Sequence, residues 1–295
     1  TKRPISGSEV SIGKTGNITV KLPDGTDLDA KHQVTVIVTD HKKAPQQGKN
    51  VTVKGDLGQS AAGKTDKNGE LTVPEVEQTE RHGVYIVGYT DGTFGPSRSM
   101  TRSEAAAIFA RLLAEKNGDT ISTAANTKFA DIPAHAWYSG YVKYLSNNGI
   151  TYGKSKTIFA PNDAITRAEF TTLAVRFFDV YGDGDAEIME QYKDFNDVSD
   201  GYWAAEYIKY AALHGWINGY GDGSFHADRE INRAEVVTIV NRLLGREADE
   251  DYIADNLRKL NTFPDVSRKH WAYYAVMEAA NAHTAVLGES ESWSK

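Results

Sequence analysis

The sequence "AITRAEF", residues 164–170, decides the fold of this chain because the chain contains three versions of it. The other two are "SMTRSEA" at 99–105 and "EINRAEV" at 230–236. In each version a Thr or Asn precedes a Glu by three residues, which is the spacing of a capping box at a helix start. Each version also places an arginine in the first helical turn, where the helix dipole disfavours a cation by about 0.3–1 kcal/mol.

These motifs belong to an internal repeat of about 66 residues, and a repeat of this kind governs the architecture. Its first half is Phe-x-Asp followed by a Trp-led helix, at 129–145, 195–211 and 263–280. Apolar residues four, five and eight positions after each Trp predict one buried helix face. These residues are Tyr141, Val142, Leu145, Tyr207, Ile208, Ala211, Ala275, Val276 and Ala279.

The second half of the repeat is a glycine turn that ends in Phe, followed by the arginine-bearing helix. The turns lie at 88–94, 153–159 and 219–225. Apolar residues six, seven, ten and eleven positions after each arginine predict a core stripe. They are Ile108, Phe109, Leu112, Leu113, Leu173, Ala174, Phe177, Phe178, Ile239, Val240, Leu243 and Leu244.

The order of the two halves predicts a closed assembly. The array begins at residue 88 with the second half of a repeat and continues through two full repeats. It ends at 263–280 with the first half of a repeat. We therefore expect a pseudo-threefold, mainly α-helical module in which the helix at 271–283 completes the lobe begun at 88–113.

Residues 1–87 have the pattern of an all-β domain. Short β-branched runs at 17–22, 32–40, 49–55 and 69–75 are separated by Gly, Pro, Asp and Lys. The pattern predicts a small β-sandwich and resembles the immunoglobulin-like spacer domains of bacterial surface proteins. "GQSAAGKT" (58–65) matches the phosphate-binding loop, but a turn and a strand pattern follow it instead of a helix, which favours a flexible hairpin loop.

Composition excludes several classes of protein. The 295-residue chain has no cysteine, hence no disulfide or thiolate metal site, and no apolar run long enough for a transmembrane helix. The first ten residues lack a signal-peptide core, so a mature form or a fragment is expected. The net charge is −7, and no basic patch indicates nucleic acid as a partner.

The repeats resemble the S-layer homology family, with three domains in the usual tandem, through the Phe-x-Asp-Val and Trp helix, the Gly-Tyr-x-Asp-Gly-x-Phe turn and the Thr-Arg-Ala-Glu helix start. The resemblance implies a three-pronged helical spindle with grooves between the prongs. It also implies non-covalent anchoring on a Gram-positive-type cell wall, in the S-layer or wall, through secondary cell-wall polysaccharide that often carries a pyruvate ketal on N-acetylmannosamine. The expected domains are 1–87 (β spacer), 88–128 (repeat 1, second half), 129–194 (repeat 2), 195–262 (repeat 3) and 263–295 (C-terminal half-repeat and tail).

The candidate glycan site centres on Arg102, Arg167 and Arg233. We interpret the capping residues as structural: Thr101 with Glu104, Thr166 with Glu169, and Asn232 with Glu235. The capping residues do not explain why each helix has an arginine in its first turn. An arginine beside free helix-start amides can bind a carboxylate such as that of a pyruvate ketal; an ordinary surface arginine is the alternative.

Further candidates follow from the repeat. Asp131, Asp197 and Asp265 are interpreted as caps or turn acceptors, or else as acceptors for sugar hydroxyls. Trp137, Trp203 and Trp271 are expected to be mainly core residues with one edge available to a sugar face. Tyr89 and Tyr220 in the glycine turns are exposed aromatic candidates, whereas recurring arginines at 111, 176 and 242 are interpreted as last-turn, structural or solvated residues.

Chain proximity predicts how these residues are grouped. It pairs Arg102 with Asp131 and Trp137, Arg167 with Asp197 and Trp203, and Arg233 with Asp265 and Trp271. The middle turn, "GKSKTIF", has Lys154, Lys156 and Thr157 where its sister turns have Tyr, Asp and Gly. The groove of Arg167 is therefore expected to bind differently or weakly.

Two other functions remain open at this stage. The module could mediate protein–protein contact, as in the self-assembly of an S-layer protein or adhesin, which predicts an exposed apolar patch. It could instead belong to an enzyme, but no paired catalytic carboxylates and no histidine pair at metal-binding helical spacing are apparent. We expect no catalytic activity, no metal and no cofactor. The acidic segment 181–187 is interpreted as an inter-lobe loop.

Overall fold

The computed structural model describes residues 9–12, 18–21, 35–40, 42–54, 60–72, 78–181, 194–287 and 292–294. The chain forms two compact units. Unit 1 comprises Thr1–Arg81 and Thr284–Lys295, and unit 2 comprises His82–His283. Unit 2 thus begins inside the segment 1–87 that the sequence assigns to the β domain. None of the described helices combines the length and apolar character needed to cross a membrane.

The β-branched runs of the N-terminal region form short strands around a small core. Strands β1 (Glu9–Ile12), β2 (Ile18–Lys21), β4 (Asn50–Lys54) and β5 (Ser60–Lys64) make one sheet in the order β1-β2-β4-β5, in which β2 and β4 are parallel. Strands β3 (Thr35–Ile37) and β6 (Glu70–Thr72) pair antiparallel. Val20, Val51, Val53 and Leu71 form the core. The described strands agree with an all-β region, while the immunoglobulin-like sandwich remains a prediction.

The segment 58–65 is a correction to the sequence analysis. We expected a flexible loop, but Ser60–Lys64 is strand β5 and pairs antiparallel with β4, with Gly63 opposite Val51. A turn at 66–69 and strand β6 follow it, so the helix that a phosphate-binding loop requires is not there. A third sheet has the order β7-β8-β9 and contains β7 (Gln78–His82), β8 (His283–Leu287) and β9 (Ser292–Ser294).

Unit 2 is built from three pairs of helices that we call lobes. Lobe 1 is α1 (Arg102–Asn117) with α2 (Ser139–Asn147), and lobe 2 is α3 (Arg167–Tyr181) with α4 (Ala205–Leu213). Lobe 3 is α5 (Arg233–Leu244) with α7 (Tyr273–Ala280); α6 (Glu250–Asn256) and a 3₁₀ turn (Leu257–Lys259) connect these two. Segment 182–187 lies outside the described residues.

The amphipathic patterns form the core as predicted. Of the stripe after each arginine, all residues are buried except Phe178 and Leu244, which are half-buried. The ring of Phe109 on α1 lies 5.4 Å from that of Phe170 and 4.8 Å from that of Phe177 on α3. Aromatic pairs at such distances add about 0.5–1.5 kcal/mol beyond area burial, so these contacts stabilise the junction of lobes 1 and 2.

A closed ring of backbone hydrogen bonds marks the pseudo-threefold axis. The residue before each capping Thr or Asn donates to its counterpart in another lobe. Met100 N donates to Ile231 O at 2.9 Å, Ile231 N to Ile165 O at 3.0 Å, and Ile165 N to Met100 O at 2.9 Å. The three side chains are at most 2% exposed. The three lobes therefore meet through one cyclic set of contacts.

The C-terminal half-repeat closes the module in a way that differs from the prediction. Helix α7 packs on α5 instead of completing the lobe begun at 88–113, because each arginine helix packs on the Trp-led helix that follows it in the chain. The first glycine turn is completed by the loop before α7. Asp265 accepts from the amides of Phe94 and Gly95 at 2.9 and 2.7 Å, and the Phe263 ring lies 5.3 Å from that of Phe94.

Candidate functional site

The three helix starts of the repeated motif are capping boxes. Thr101 Oγ1 accepts from the amide of Glu104 at 3.2 Å, and Glu104 Oε2 accepts from the amide of Thr101 at 2.8 Å. The same reciprocal bonds join Thr166 with Glu169 and Asn232 with Glu235. The prediction of a capping box from the Thr/Asn-x-x-Glu spacing is thus confirmed at all three helix starts.

The helix-start amides are not free for a ligand, which corrects the predicted anion site. The amides of Arg102, Arg167 and Arg233 donate to the carbonyls of Asp163, Arg229 and Arg98 at 2.8–3.0 Å. The next amide along each helix also donates to a backbone carbonyl, at 2.9–3.0 Å. Because neighbouring backbone already satisfies these donors, only the arginine side chains remain to bind an anion at these positions.

Each arginine of the motif is buried and held from several sides. The exposed fractions of Arg102, Arg167 and Arg233 are 8%, 5% and 4%. Each Nε donates to the carbonyl of the Phe that ends a glycine turn, at 2.8–2.9 Å, and each guanidinium stacks over that Phe ring at 4.6–5.1 Å. The alternative of an ordinary surface arginine is therefore wrong. The phenylalanines are Phe159, Phe225 and Phe94, respectively.

Two of the capping glutamates, Glu169 and Glu235, also pair with these arginines across lobe boundaries. Arg102 Nη1 lies 3.1 Å from Glu169 Oε1, and Arg167 Nη1 lies 3.1 Å from Glu235 Oε1. The other oxygen of each glutamate accepts from the cap amide. One carboxylate thus starts a helix and binds the arginine of the preceding lobe, which explains a cation in a first turn.

Three clefts lie between the lobes, and we name each by its arginine. The Arg102 cleft lies between lobes 1 and 2, the Arg167 cleft between lobes 2 and 3, and the Arg233 cleft between lobes 3 and 1. Each contains the capping glutamate of the second lobe and one tryptophan. These are Glu169 with Trp203, Glu235 with Trp271, and Glu104 with Trp137, in the same order.

This grouping corrects the pairing by chain proximity. Arg102 shares its cleft with Trp203 instead of Trp137, Arg167 with Trp271 instead of Trp203, and Arg233 with Trp137 instead of Trp271. The shift by one tryptophan arises because a cleft is formed by adjacent lobes. The arginine begins the arginine helix of one lobe, and the tryptophan precedes the Trp-led helix of the next.

The three tryptophans are not core residues, which is a second correction. Trp137, Trp203 and Trp271 are 54%, 57% and 65% exposed. Each lies two residues before its helix, which begins at Ser139, Ala205 or Tyr273, so it is outside the buried helix face on which the prediction rested. A large aromatic side chain that stays exposed does not gain the free energy of burying its apolar surface. Its position in a cleft therefore points to a ligand.

The three aspartates hold the glycine turns. Asp131 accepts from the amides of Phe159 and Ala160, and Asp197 accepts from those of Phe225 and His226, all with a shortest distance of 2.7–2.9 Å. Asp265 does the same for the first turn. Their place is that of turn acceptors, and none of the three is among the residues that line the clefts of Arg102, Arg167 and Arg233.

The glycine turns distinguish the clefts from one another. Tyr89 lies under Arg233 at 4.7 Å and Tyr220 lies under Arg167 at 5.1 Å. The altered middle turn is next to the Arg102 cleft, not the Arg167 cleft as predicted. There Lys154 Nζ lies 3.3 Å from Asp163 and 3.9 Å from Glu169, the glutamate that pairs with Arg102.

A second arginine lines each cleft, and sequence reasoning missed this role. Arg176, Arg242 and Arg111 line the clefts of Arg102, Arg167 and Arg233, respectively. We predicted last-turn positions for all three, and Arg242 does lie in the last turn of α5. Helices α1 and α3 continue to Asn117 and Tyr181, so Arg111 and Arg176 lie further inside their helices than predicted. Arg176 stacks over Tyr152 at 4.8 Å. Their recurrence nine residues after the motif arginine was the available signal.

Burial of Arg167 and Arg233 carries an electrostatic cost. Desolvation lowers the pKa of Arg167, against the opposing effect of Glu235, and lowers the pKa of Arg233 against that of Tyr89 and Glu104. Desolvation also lowers the pKa of Arg242. Arginine stays charged in proteins, so these shifts express the cost of burying a cation, and a bound anion would offset that cost.

Comparison with known proteins agrees with this architecture. The S-layer homology domain model matches residues 72–106, 128–171 and 194–237. The chain is 30% identical over 233 residues to a cellulosome-anchoring protein of Acetivibrio thermocellus, covering 78% of this chain and 49% of that protein. It is 34% identical over 218 residues to cell surface glycoprotein 1 of the same organism, covering 71% of this chain and 9% of that protein.

A third relative is the surface-layer 125 kDa protein of Lysinibacillus sphaericus, 32% identical over 163 residues, with 54% of this chain and 13% of that protein covered. The chain thus spans about half of the first of these relatives and much smaller parts of the other two. Three matched domains coincide with three arginine helices, three glycine turns and a closed pseudo-threefold ring. The chain carries three S-layer homology domains in tandem and belongs to that family.

Proposed function

We propose that unit 2 anchors this chain, or the protein of which it is part, to a bacterial cell wall by binding anionic wall polysaccharide in the inter-lobe clefts. This places the protein outside the cell, in the wall or S-layer, as a non-catalytic anchor. The relatives named as anchoring and surface-layer proteins support this location and role. The finer proposal is that the recognised group is a sugar carboxylate, such as a pyruvate ketal.

One observation carries the proposal: each cleft combines at least two arginines with a tryptophan that is more than half exposed. An arginine fork pairs with a carboxylate in two parallel hydrogen bonds. An indole face can pack on the C–H face of a sugar ring, because its apolar body is large and rigid. The two groups together match an acidic sugar better than they match a neutral one.

Among the three motif arginines, Arg102 is the most exposed, at 8% against 5% for Arg167 and 4% for Arg233. Arg102 uses Nε and Nη1 for Phe159 and Glu169, and within the described residues Nη2 has no hydrogen-bond partner. By contrast, Nη2 of Arg233 donates to Val87 O at 2.7 Å, and Nη2 of Arg167 lies 3.4 Å from Asn218 O. We propose that the carboxylate binds most directly at Arg102, with Arg176 as the second cation of that cleft.

The distribution of exposed apolar groups favours a glycan over self-assembly. Among described residues, ten large hydrophobic side chains are exposed, and six of them line the three clefts. They are Val87, Trp137, Tyr152, Trp203, Tyr220 and Trp271. A self-assembling face would instead gather such residues into one contiguous patch.

The test measures binding of the purified chain to wall polysaccharide before and after chemical removal of its ketal-linked pyruvate. We expect removal to weaken binding by at least about tenfold, since a charge-assisted pair is worth about 1.5–3 kcal/mol. Trp203→Ala and Arg102→Lys should weaken binding to the intact glycan. Arg258→Ala, at an exposed arginine outside the clefts, is the matched control.

Circular dichroism melts of each variant would separate lost binding from lost folding. Equal binding of both glycans would overturn the carboxylate proposal. Glycan-independent, concentration-dependent assembly, with no glycan binding at all, would favour the self-assembly function instead.

A further inference from the structure

A buried cluster of His82, Glu278 and His283 lies outside the three clefts. Their exposed fractions are 3%, 1% and 6%. His82 and His283 are the first and last residues of unit 2, and Glu278 lies near the end of α7. One donor atom from each residue lies within 4.8 Å of the other two, so the cluster brings the two ends of the unit together.

Within the described residues, the only ion-pairing groups beside the Glu278 carboxylate are two imidazole rings. Oε1 lies 3.4 Å from His82 Nδ1, and Oε2 lies 3.3 Å from His283 Nε2. Neither oxygen accepts a hydrogen bond from a described residue. A carboxylate buried without hydrogen bonds is costly unless a cation compensates it. The cluster therefore needs either a compensating positive charge or a proton on the carboxyl.

Among the described residues, no lysine or arginine forms an ion pair with Glu278. Burial raises the pKa of Tyr85, Glu278 raises it further, and Arg246 opposes this, so both charges act on the same hydroxyl. Arg246 is itself buried, yet in the part of the chain that the structure describes it makes no ion pair with Glu278. What remains is a proton within the cluster, on an imidazole or on the carboxyl, or a bound metal ion.

The hydrogen bond of His283 favours the metal ion. His283 Nδ1 lies 3.0 Å from Asn281 O, and since a carbonyl only accepts, the ring proton is on Nδ1. In the neutral ring, Nε2 then directs its lone pair to Glu278 Oε2. Metal-binding histidines are oriented in the same way, with the other ring nitrogen donating to a backbone carbonyl or carboxylate.

The distances also distinguish a metal ion from a proton. A hydrogen bond between an imidazolium and a carboxylate is about 2.7–2.9 Å long, shorter than the observed 3.3 and 3.4 Å. Two ligand atoms bound to tetrahedral zinc at about 2.0–2.1 Å are about 3.3–3.4 Å apart. Both nitrogen–oxygen separations match this value, and the three donor atoms all lie within 4.8 Å of one another.

We propose that His82 Nδ1, His283 Nε2 and the Glu278 carboxylate bind one divalent transition-metal ion, with zinc the best match to two imidazoles and a carboxylate. Each Glu278 oxygen faces a different imidazole, so three residues offer four donor atoms. Because the three residues are enclosed by protein, the ion has a structural role. It joins the first residue of unit 2 to the end of its last helix and stabilises the closed module.

The experiment uses the full chain, produced without a histidine tag, stripped with a chelator and then supplied with Zn²⁺ or Co²⁺. We expect one ion per chain by mass spectrometry, visible absorption typical of tetrahedral Co²⁺, and a melting temperature that rises with Zn²⁺ and falls on chelation. Glu278→Gln and His283→Gln should lower the affinity by at least about tenfold. His135→Gln, at an exposed histidine, is the matched control and should bind normally.

A second measurement keeps the test decisive if the buried variants fail to fold. In the folded wild-type chain, the ¹⁵N resonances of His82 Nδ1 and His283 Nε2 should shift on adding Zn²⁺, while those of the other six histidines stay unchanged. A wild-type chain that binds neither ion at one equivalent would overturn the proposal. Zinc-induced shifts confined to other histidines would overturn it as well.

Discussion

The carboxylate of Glu235 lies 3.1 Å from the guanidinium of Arg167, although the two residues begin different lobes. The same carboxylate caps α5 through the amide of Asn232. A helix start and an inter-lobe ion pair therefore depend on one side chain. Tyr220 also donates to this carboxylate at 3.0 Å, and Arg229 pairs with it.

Glu235→Gln should destabilise unit 2 while leaving the cap intact. A Gln side chain can still accept from the cap amide, but Arg167, 5% exposed, would lose its carboxylate partner. Breaking a buried pair from one side costs about 3 kcal/mol. Urea unfolding monitored by tryptophan fluorescence measures the loss. Glu206→Gln, on the exposed face of α4, is the control and should change stability by less than about 0.5 kcal/mol.

Double-mutant cycles on glycan binding should reveal which tryptophan acts with Arg102. Because Arg102 and Trp203 line one cleft, Arg102→Lys and Trp203→Ala should show a coupling energy of about 1 kcal/mol. Arg102→Lys with Trp137→Ala should be additive, since Trp137 lines the Arg233 cleft. Calorimetric titration provides the affinities. If Arg102 were coupled to Trp137 and not to Trp203, the pairing predicted from chain proximity would be correct and the grouping by cleft would be wrong.

Asp265→Ala should destabilise the first glycine turn, although the two are far apart in sequence. Asp265 accepts from the amides of Phe94 and Gly95, which would then lack a partner. We expect those two amides to exchange with solvent much faster and the free energy of unfolding to fall by about 1–3 kcal/mol. Hydrogen exchange by NMR measures both amides. Asp255→Ala, at an exposed position on α6, should leave them protected.

The contribution of Asp197 to stability should disappear in acid. Partial burial raises the pKa of Asp197, but the amides of Phe225 and His226 outweigh this effect and the pKa is lowered. A carboxyl with a lowered folded pKa stabilises the fold above its unfolded pKa of about 3.9, and this stabilisation is lost as the pH falls through the folded value. At pH 7 the free energy of unfolding of the wild type should therefore be about 1 kcal/mol higher than that of Asp197→Asn.

That difference should shrink as the pH is lowered below about 4. Chemical unfolding of both proteins across the pH range gives the comparison, and Asp200→Asn, at an exposed aspartate, controls for the general loss of charge. A wild-type advantage that stays constant down to pH 2 would contradict this role of the carboxylate.

The sequence predicted local features far better than it predicted which residues meet. Cap spacing and apolar periodicity are properties of single helices, so the capping boxes and core stripes were predicted correctly. The clefts depend on how successive lobes pack, and for this reason Trp203, not Trp137, accompanies Arg102. Exposure of the tryptophans was missed because it depends on helix starts that differ from the pattern by two residues.

The partners of the arginines could not be read from spacing for a similar reason. Glu169 was correctly assigned as a cap, yet its second oxygen binds Arg102 from another lobe. The grouping of His82 with His283 depends on the return of the chain at the end of unit 2, and residues so far apart in sequence carry no shared periodicity.

The backbone ring of Met100, Ile165 and Ile231 also determines how this module can change in evolution. A solenoid has open ends, so duplication of a repeat simply lengthens the stack. In this ring every donor and acceptor is already used, and a fourth copy would find no backbone group to join. Closure of the ring thus limits the number of repeats in one module to three. Under the proposed function, tighter attachment to the wall has to come from substitutions in the clefts or from a second whole module elsewhere in a polypeptide.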